Sequence, residues 1–88
     1  MKITSARDLA AAVRGRRLSL GLSQADLAGR AGVSRPWLSE VEAGKPTAEF
    51  GRIIRLLDTL GIGLHLEVAG DEATTVDLDA HLIDYENR

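Results

Sequence analysis

Serines and glycines divide the first sixty residues of this chain into short segments. Ser5 and Ser23 are each followed three residues later by an aspartate, so that a hydroxyl and a carboxylate can cap the free N–H groups of a helix start. Ser34 and Thr47 are two further candidate N-caps. After each segment comes a glycine, which readily closes a helix in the left-handed conformation; these are Gly21, Gly32, Gly44 and Gly61. The spacing predicts four helices, over residues 5–20, 24–31, 35–43 and 48–60.

The apolar residues of each predicted helix fall on one face, as packing around a shared core requires. They are Leu9, Val13 and Leu20 in the first helix, Leu27, Ala28 and Ala31 in the second, Leu38 and Val41 in the third, and Ile53, Leu56, Leu57 and Leu60 in the fourth. A chain of 88 residues is too short for two independent cores. The fold class is therefore predicted as mainly α, a bundle of four to five helices.

Residues 23–45 hold the most specific arrangement in the chain. Two short helices are joined by a tight turn at Gly32-Val33, and Ala28 is small enough for a close helix crossing. Val33 and Leu38 are placed to fill the space beneath the turn. This is helix-turn-helix geometry, in which the second helix enters the major groove of DNA and the first crosses the backbone.

The segment resembles the Xre family of helix-turn-helix regulators, which includes phage repressors of the lambda type and Cro-type proteins. The resemblance covers about residues 7–61. It rests on Leu22-Ser23-Gln24-x-x-Leu27-Ala28, Gly32-Val33-Ser34, Leu38-Ser39-x-Val41-Glu42 and Gly44-Lys45. It implies a compact, lambda-repressor-like bundle that binds double-stranded DNA and regulates transcription.

The beginning of the third helix is the part of the motif that meets base edges. Arg35 suits a bidentate contact to guanine, and Ser39 lies one turn later. The predicted base-contacting residues are Ser34, Arg35, Pro36, Trp37, Ser39 and Glu40. The alternatives are that Trp37 packs beside the second helix and that Arg35 is only a solvated first-turn residue. Glu40 either accepts a hydrogen bond from cytosine or excludes wrong sites by repulsion.

Three residues are predicted to contact phosphate. Gln24 opens the second helix, and a helix N-terminus favours anions; the resemblance implies that a glutamine here holds a phosphate. Lys45 follows the third helix and fits a phosphate on the other flank. Arg17 is the third candidate, from the basic cluster of Arg14, Arg16 and Arg17. The alternative for this cluster is an ordinary solvated helix face.

The apolar pattern changes from helical to alternating after Gly61. Ile62, Leu64, Leu66 and Val68 alternate with other residues, which predicts one β-strand over residues 62–68. Because a single strand leaves its edges unpaired, we expect it to pair antiparallel with the same strand of a second copy. These four residues, with parts of the first and fourth helices, are then the dimer interface. A short hairpin with residues 74–78 is the alternative.

Charge is divided along the chain. Residues 1–66 contain ten Lys or Arg and six Asp or Glu, a net charge of +4, whereas residues 67–88 contain one Arg and seven acidic residues, a net charge of -6. Such asymmetry indicates separate tasks. The predicted organisation is a DNA-binding domain over residues 1–61, a dimerisation strand over 62–69, and an acidic tail over 70–88. A solvated end that only aids solubility is the alternative for the tail.

The strand after the fourth helix makes the layout similar to HipB-like antitoxins. That resemblance implies a homodimer on a palindromic operator and a HipA-like kinase toxin as partner. In the tail, Asp77 is placed to cap a short helix. Leu78, Leu82 and Tyr85 would share one face of this helix, and they are the predicted toxin contacts. A helix this short needs a partner to be stable.

Few residues suit catalysis or metal binding. The chain has no Cys, and its two histidines, His65 and His81, lack the spacing of a ligand pair. We expect no enzymatic activity, cofactor or metal. No apolar run approaches the length of a membrane span, and residues 1–5 lack the apolar stretch of a signal peptide. The expected location is the cytoplasm, at the nucleoid.

These features together predict a sequence-specific transcriptional repressor that is the antitoxin of a HipA-like toxin and regulates its own operon. Two alternatives stay open. The chain is a stand-alone Xre-type regulator without a toxin, or it is mainly a protein-interaction module that uses the helix-turn-helix as a scaffold.

Overall fold

The computed structural model describes residues 2–69 and 75–76. Its helices are α1 (Ala6–Ser19), α2 (Gln24–Ala31), α3 (Arg35–Glu42) and α4 (Phe50–Thr59). Two short strands follow, β1 (Leu66–Glu67) and β2 (Thr75–Val76). Each helix begins and ends within two residues of its predicted bounds, and the mainly α bundle is confirmed.

Serine side chains cap the first three helices. The Ser5 hydroxyl accepts a hydrogen bond from the Asp8 N–H at 3.1 Å, and the Ser34 hydroxyl accepts one from the Trp37 N–H at 3.2 Å. At α2, the Ser23 hydroxyl accepts from the Asp26 N–H at 3.0 Å, and the Asp26 carboxylate accepts from the Ser23 N–H at 3.1 Å. This reciprocal pair is a capping box.

The predicted cap at Thr47 is wrong. The N-cap of α4 is Glu49, which makes no side-chain capping bond. The first helical hydrogen bonds run from the N–H groups of Arg52 and Ile53 to the Glu49 carbonyl, so Thr47 lies ahead of the first turn. The α4 start relies on packing of its apolar face and not on a cap.

All four helices end in the same way. The glycine after each helix has a positive φ, between +68° and +84°. The next residue then donates its N–H to the carbonyl five positions earlier, giving the pairs Leu22–Arg17, Val33–Ala28, Lys45–Glu40 and Ile62–Leu57. This is the Schellman motif, in which the residue after the glycine commonly makes an apolar contact with the helix. Leu22, Val33 and Ile62 do so by packing against the core.

The core forms where α2 packs against α3 and α4 and where α1 packs against α3. Leu27, Leu38, Leu56, Leu60 and Val13 are its largest fully buried residues. One assignment on α1 is corrected. Leu20 is exposed, and the buried face of this helix consists of Ala10, Val13 and Arg17. An arginine therefore occupies a core position.

The strand is shorter than predicted. Only Leu66–Glu67 is extended in a ladder, and it pairs antiparallel with Thr75–Val76 of the same chain, with Leu66 opposite Val76 and Glu67 opposite Thr75. The hairpin that the sequence left as the alternative is therefore present. Within the described residues the other edge of β1 has no partner strand.

The capping box makes the stability of the fold depend on pH. The hydrogen bond from the Ser23 backbone N–H lowers the pKa of Asp26. Because the folded pKa lies below the unfolded one, this contribution is present above about pH 4 and is lost as the pH falls through the folded pKa. We expect Asp26→Asn to melt at a lower temperature than wild type at pH 7, with the difference closing near pH 3.

Thermal melts of both proteins at the two pH values measure this difference. The matched control is Asp58→Asn, which neutralises an exposed aspartate at the end of α4. Removing a negative charge from a helix C-terminus costs no stability, so this variant should not be weakened at pH 7. A gap between Asp26→Asn and wild type that stays constant between pH 7 and pH 3 would contradict the assignment.

No helix in the described part of the chain is long and apolar enough to cross a membrane.

Candidate nucleic-acid interface

Helix α3 presents its first turns to solvent. It packs on α1 and α2 through the buried side chains of Leu38 and Val41. On its outer side the predicted base-contacting residues Arg35, Pro36 and Ser39 are exposed. Pro36 lies in the first turn, where its missing N–H costs no hydrogen bond and its ring stiffens the helix start. The exposed end of α3 is therefore rigidly supported.

Two predicted base contacts have structural tasks of their own. The Ser34 hydroxyl is engaged as the N-cap of α3. Trp37 is half-buried and packs against the core, so the structure favours the open alternative in which its ring supports the fold. Part of each residue still lies at the surface. The residues of α3 that are most available to a ligand are Arg35 and Ser39.

Lys45 occupies an unusual place at the end of α3. It directly follows Gly44, the glycine that closes α3. After each of the other three helices, the residue at this position is apolar and packs on the core. The Lys45 ammonium instead donates to the Glu40 carboxylate at 3.2 Å, and both side chains remain about half exposed. An exposed pair of this kind contributes little stability. The helix end thus fixes a cation at the surface beside the exposed side chains of α3.

Arg17 does not belong to the predicted phosphate contacts. Its side chain is only 10% exposed, and it binds Glu42 through two hydrogen bonds of 2.9 and 2.8 Å. A third bond, of 3.0 Å, runs from its guanidinium to the Leu22 carbonyl. Since these contacts occupy the guanidinium inside the fold, little of it is left for a phosphate. The sequence signal for this burial was that Arg17 falls on the same face of the first helix as Ala10 and Val13.

The contacts of Arg17 link α1 to the end of α3. The hydrogen bonds to Glu42 raise the pKa of Arg17, against the opposing effect of burial. The guanidinium therefore stays charged at every pH at which the protein is folded. The Glu42 side chain is 4% exposed and depends on Arg17 for its neutralisation.

Gln24 is hydrogen-bonded to the same Arg17–Glu42 ion pair. Its side-chain amide donates to the Glu42 carboxylate at 3.4 Å, and the residue is half-buried at the start of α2. The helix N-terminus there carries partial positive charge. Gln24 and Lys45 therefore flank the exposed face of α3 on its two sides in sequence, and Glu42 holds the orientation of Gln24.

The residues predicted to form a dimer interface divide into two groups. Ile62 is half-buried, packs against its own core and closes α4 through its N–H, so its assignment to the interface is corrected. Leu64, Leu66 and Val68 are 42–49% exposed. These three side chains remain available for a partner.

The other predicted sites fall elsewhere. Leu78, Leu82 and Tyr85, the predicted toxin contacts, lie outside the described residues, as does His81. His65 is exposed. Residues 2–69 contain no group of three or more His, Asp or Glu side chains arranged to hold a metal ion.

Two residues with structural importance escaped the sequence reasoning. Glu42 was seen only as part of a family motif, because its partner lies 25 positions away. Arg16 donates from Nε to the Leu60 carbonyl at 2.9 Å, which satisfies the end of α4. Both contacts depend on how the helices cross, and no local spacing in the sequence indicates them.

Comparison with known proteins agrees with this geometry. The family model of the helix-turn-helix domain matches residues 8–69. The chain belongs to the helix-turn-helix domain family. It is 39% identical over 70 residues to y4mF of Sinorhizobium fredii, an uncharacterised HTH-type transcriptional regulator. The match covers 80% of this chain and 92% of y4mF.

Solved structures of at least two kinds of helix-turn-helix protein are similar to this chain. HipB in the HipB–O4 20mer complex is 26% identical with a TM-score of 0.72, covering 78% of this chain and 97% of HipB. HipB in the HipA–HipB–O2–O3 complex matches with the same TM-score and coverage at 25% identity. The restriction-modification controller protein C.AhdI from Aeromonas hydrophila is 29% identical with a TM-score of 0.61, covering 66% and 84% of the two chains. The resemblance to Xre-type, HipB-like regulators is thus confirmed, and the chain is a DNA-binding transcriptional regulator of this type.

Proposed function

We propose that this protein is a sequence-specific repressor that binds a palindromic operator as a homodimer through the exposed face of α3. The observation that carries the proposal is that Arg35 is exposed on a helix whose opposite face is held in the core. Leu38 and Val41 anchor α3 in the core, while Gln24 and Lys45 contact Glu42 and Glu40 in its last turn. Arg35 is free to read a guanine, and the flanking groups suit phosphate oxygens.

The division of charge supports the same proposal. The net charge of +4 lies on residues 1–66, which include the helical body, and the net charge of -6 lies on residues 67–88. The overall charge of -2, which alone would argue against nucleic acid, therefore leaves the proposed DNA-binding part basic.

The test is a binding titration against DNA from upstream of the protein's own gene. Fluorescence anisotropy compares this DNA with a random duplex of equal length at fixed salt, and footprinting locates the operator. We expect a specificity ratio of about 10³ or more and a protected site with two half-sites about one helical turn apart. Equal affinity for both duplexes would refute repression of its own gene.

Lys45→Ala tests the proposed phosphate contact. We expect it to weaken binding to operator and random DNA by a similar factor, because a phosphate contact carries no sequence information. The slope of log K against log salt should fall by about 1 per copy. Anisotropy titrations at four salt concentrations measure both effects.

The control for Lys45→Ala is Lys2→Ala, which removes an exposed lysine distant in sequence from α3. It should leave the slope unchanged. Since Lys45 also pairs with Glu40, the variant Glu40→Gln serves as a second comparison. If loss of Lys45 acted only by releasing Glu40, Glu40→Gln would restore binding in the double variant; a phosphate contact predicts that it does not restore the slope.

Dimerisation through the strand region is supported by its apolar surface. Leu66 and Val68 are 42% and 49% exposed, and in the described residues only one edge of β1 is paired. A second copy adding to the free edge would satisfy these N–H and carbonyl groups and cover both side chains. The in-chain hairpin and the intermolecular pairing are compatible, because they use opposite edges.

The double variant Leu66→Lys, Val68→Lys should be a folded monomer. Charges on both side chains oppose burial in an interface, while α1–α4 and Ile62 are untouched. Sedimentation equilibrium should give half the wild-type mass. Operator affinity should fall by about 10²-fold or more, because each copy then binds a half-site alone.

Leu18→Lys is the matched control for this variant, since Leu18 is a 55% exposed leucine on α1. It should leave the mass and the affinity unchanged. A stable dimer in the strand variant would show that copies associate through another surface.

The antitoxin role is the finer part of the proposal. It rests on the similarity to HipB, which is found in a complex with HipA. We propose a HipA-like kinase toxin as partner, contacted through Leu78, Leu82 and Tyr85 in the acidic tail. The test is co-expression with the kinase encoded beside the gene, if the operon has one. Wild type should restore growth and co-purify, whereas Leu82→Asp should not.

The stand-alone regulator is retained as a second candidate, since the fold also matches the controller protein C.AhdI. A neighbouring reading frame that encodes no kinase, together with specific operator binding, selects this candidate. That outcome removes the toxin and leaves the DNA-binding proposal intact.

A further inference from the structure

An apolar groove of 360 Å³ lies beside the end of α3, where Lys45 lines one of its edges. Leu9 and Ile53 are among the residues that line it from the core side, and Ile3, Phe50 and Leu64 line it as exposed residues. Phe50 is 60% exposed, which is unusual for the only phenylalanine of the chain. Exposed apolar surface of this kind marks a contact site.

Among the described residues that line the groove, Lys45 is the only charged one. A segment that covers the groove should therefore be apolar on the covering face and carry acidic side chains beside it. Residues 77–86 have this composition. Leu78, Leu82 and Tyr85 share one helical face, and Asp77, Asp79, Asp84 and Glu86 lie between and beside them.

The position of β2 places the start of this segment near the groove. β2 runs antiparallel to β1, with Val76 opposite Leu66. Residue 77 therefore follows from a point beside Leu66, two positions from Leu64, which lines the groove. No long connection is needed, so the entropic cost of docking is small.

We propose that residues 77–86 of the protein's own chain dock into this groove, with Leu78, Leu82 and Tyr85 covering Ile3, Phe50 and Leu64. The acidic side chains of the segment then lie near Lys45. This contact is an intramolecular one that forms without DNA or a toxin. It competes with any external partner of the tail and, at Lys45, with the phosphate contact proposed above. A segment too short to be a stable helix alone gains its partner from its own domain.

Disulfide trapping tests the docking in the full-length chain, which has no native Cys. We use the pair Phe50→Cys, Leu82→Cys, and as control Phe50→Cys, Asp84→Cys, in which the second thiol lies on the opposite side of a helical segment. Under mild oxidation at low protein concentration, the first pair should close about tenfold faster than the control. The product should migrate as a monomer on a non-reducing gel.

The pair Ile3→Cys, Leu82→Cys repeats the test at an exposed residue of the N-terminal segment, in case Phe50→Cys perturbs α4. Reduced variants are checked by thermal melts. Equal closure rates for test and control pairs overturn the proposal, because they indicate a tail that samples all positions alike. A disulfide formed between two chains also overturns it, and assigns the groove to the tail of a second copy.

Discussion

Arg17→Ala should greatly lower the free energy of unfolding of this domain. The substitution leaves the Glu42 carboxylate, which is 4% exposed, without the two hydrogen bonds and the charge that neutralise it. Removing one partner of a buried ion pair costs about 3–5 kcal/mol. We expect a loss at the lower end of this range, because no atom of so small a domain lies far from water. Since domains of this size are stable by only about 5–15 kcal/mol, the loss is a large fraction of the total.

Thermal and urea unfolding measure this effect directly. A loss of about 3 kcal/mol corresponds to a melting temperature lower by roughly 12–24 °C for a domain of this length. The control is Arg14→Ala, which removes an exposed arginine of the same helix and should change stability by less than about 0.5 kcal/mol. The double variant Arg17→Met, Glu42→Met should recover much of the loss, because an apolar pair can replace a buried ion pair.

The same experiment separates a structural role of Arg17 from the phosphate contact predicted from the sequence. A phosphate contact would leave the melting temperature unchanged and reduce DNA affinity. A structural role reduces stability with DNA absent. If Arg17→Ala melts with wild type and only binds DNA more weakly, Arg17 is a phosphate contact and not a structural residue.

Local signals predicted most of this fold. The capping serines and the closing glycines act through hydrogen bonds to residues three to five positions away, so that sequence spacing alone specifies them. The helix-turn-helix motif has the same local character. For this reason the bounds of α1, α2 and α3, which have both signals, are predicted to within one residue. By contrast, α4 starts two residues late because its predicted cap at Thr47 is not used.

Contacts between distant elements were the ones that sequence reasoning missed. Arginine is usually a surface residue, but Arg17 lies at a core position. Only the crossing of α1 with α3 brings Glu42 to it. Ile62 belongs to an alternating pattern, but the Schellman end of α4 turns it into the core. The candidate interface on α3 was predictable as a set of mostly exposed positions, because the motif specifies which helix faces outward.

Arg35→Ala should remove much of the discrimination between operator and random DNA. Arg35 is exposed at the first position of α3, where a guanidinium can donate two hydrogen bonds to a guanine edge. Each such contact contributes about 1–3 kcal/mol of discrimination, and a dimer on a palindrome makes it twice. We therefore expect operator affinity to fall by roughly 2–6 kcal/mol in total, or about 30-fold to 10⁴-fold, with random-DNA affinity reduced far less.

Arg35→Lys separates the geometry of this contact from its charge. Lysine retains the positive charge but cannot reproduce the planar two-bond fork of arginine. It should restore most of the salt dependence and little of the discrimination, whereas Arg35→Ala loses part of both. Neither variant should shift the melting temperature, because the side chain is exposed. Anisotropy titrations on operator and random duplexes at several salt concentrations decide the matter: an equal loss on both DNAs in Arg35→Ala would make Arg35 a phosphate contact and transfer base reading to Ser39 or another exposed residue of α3.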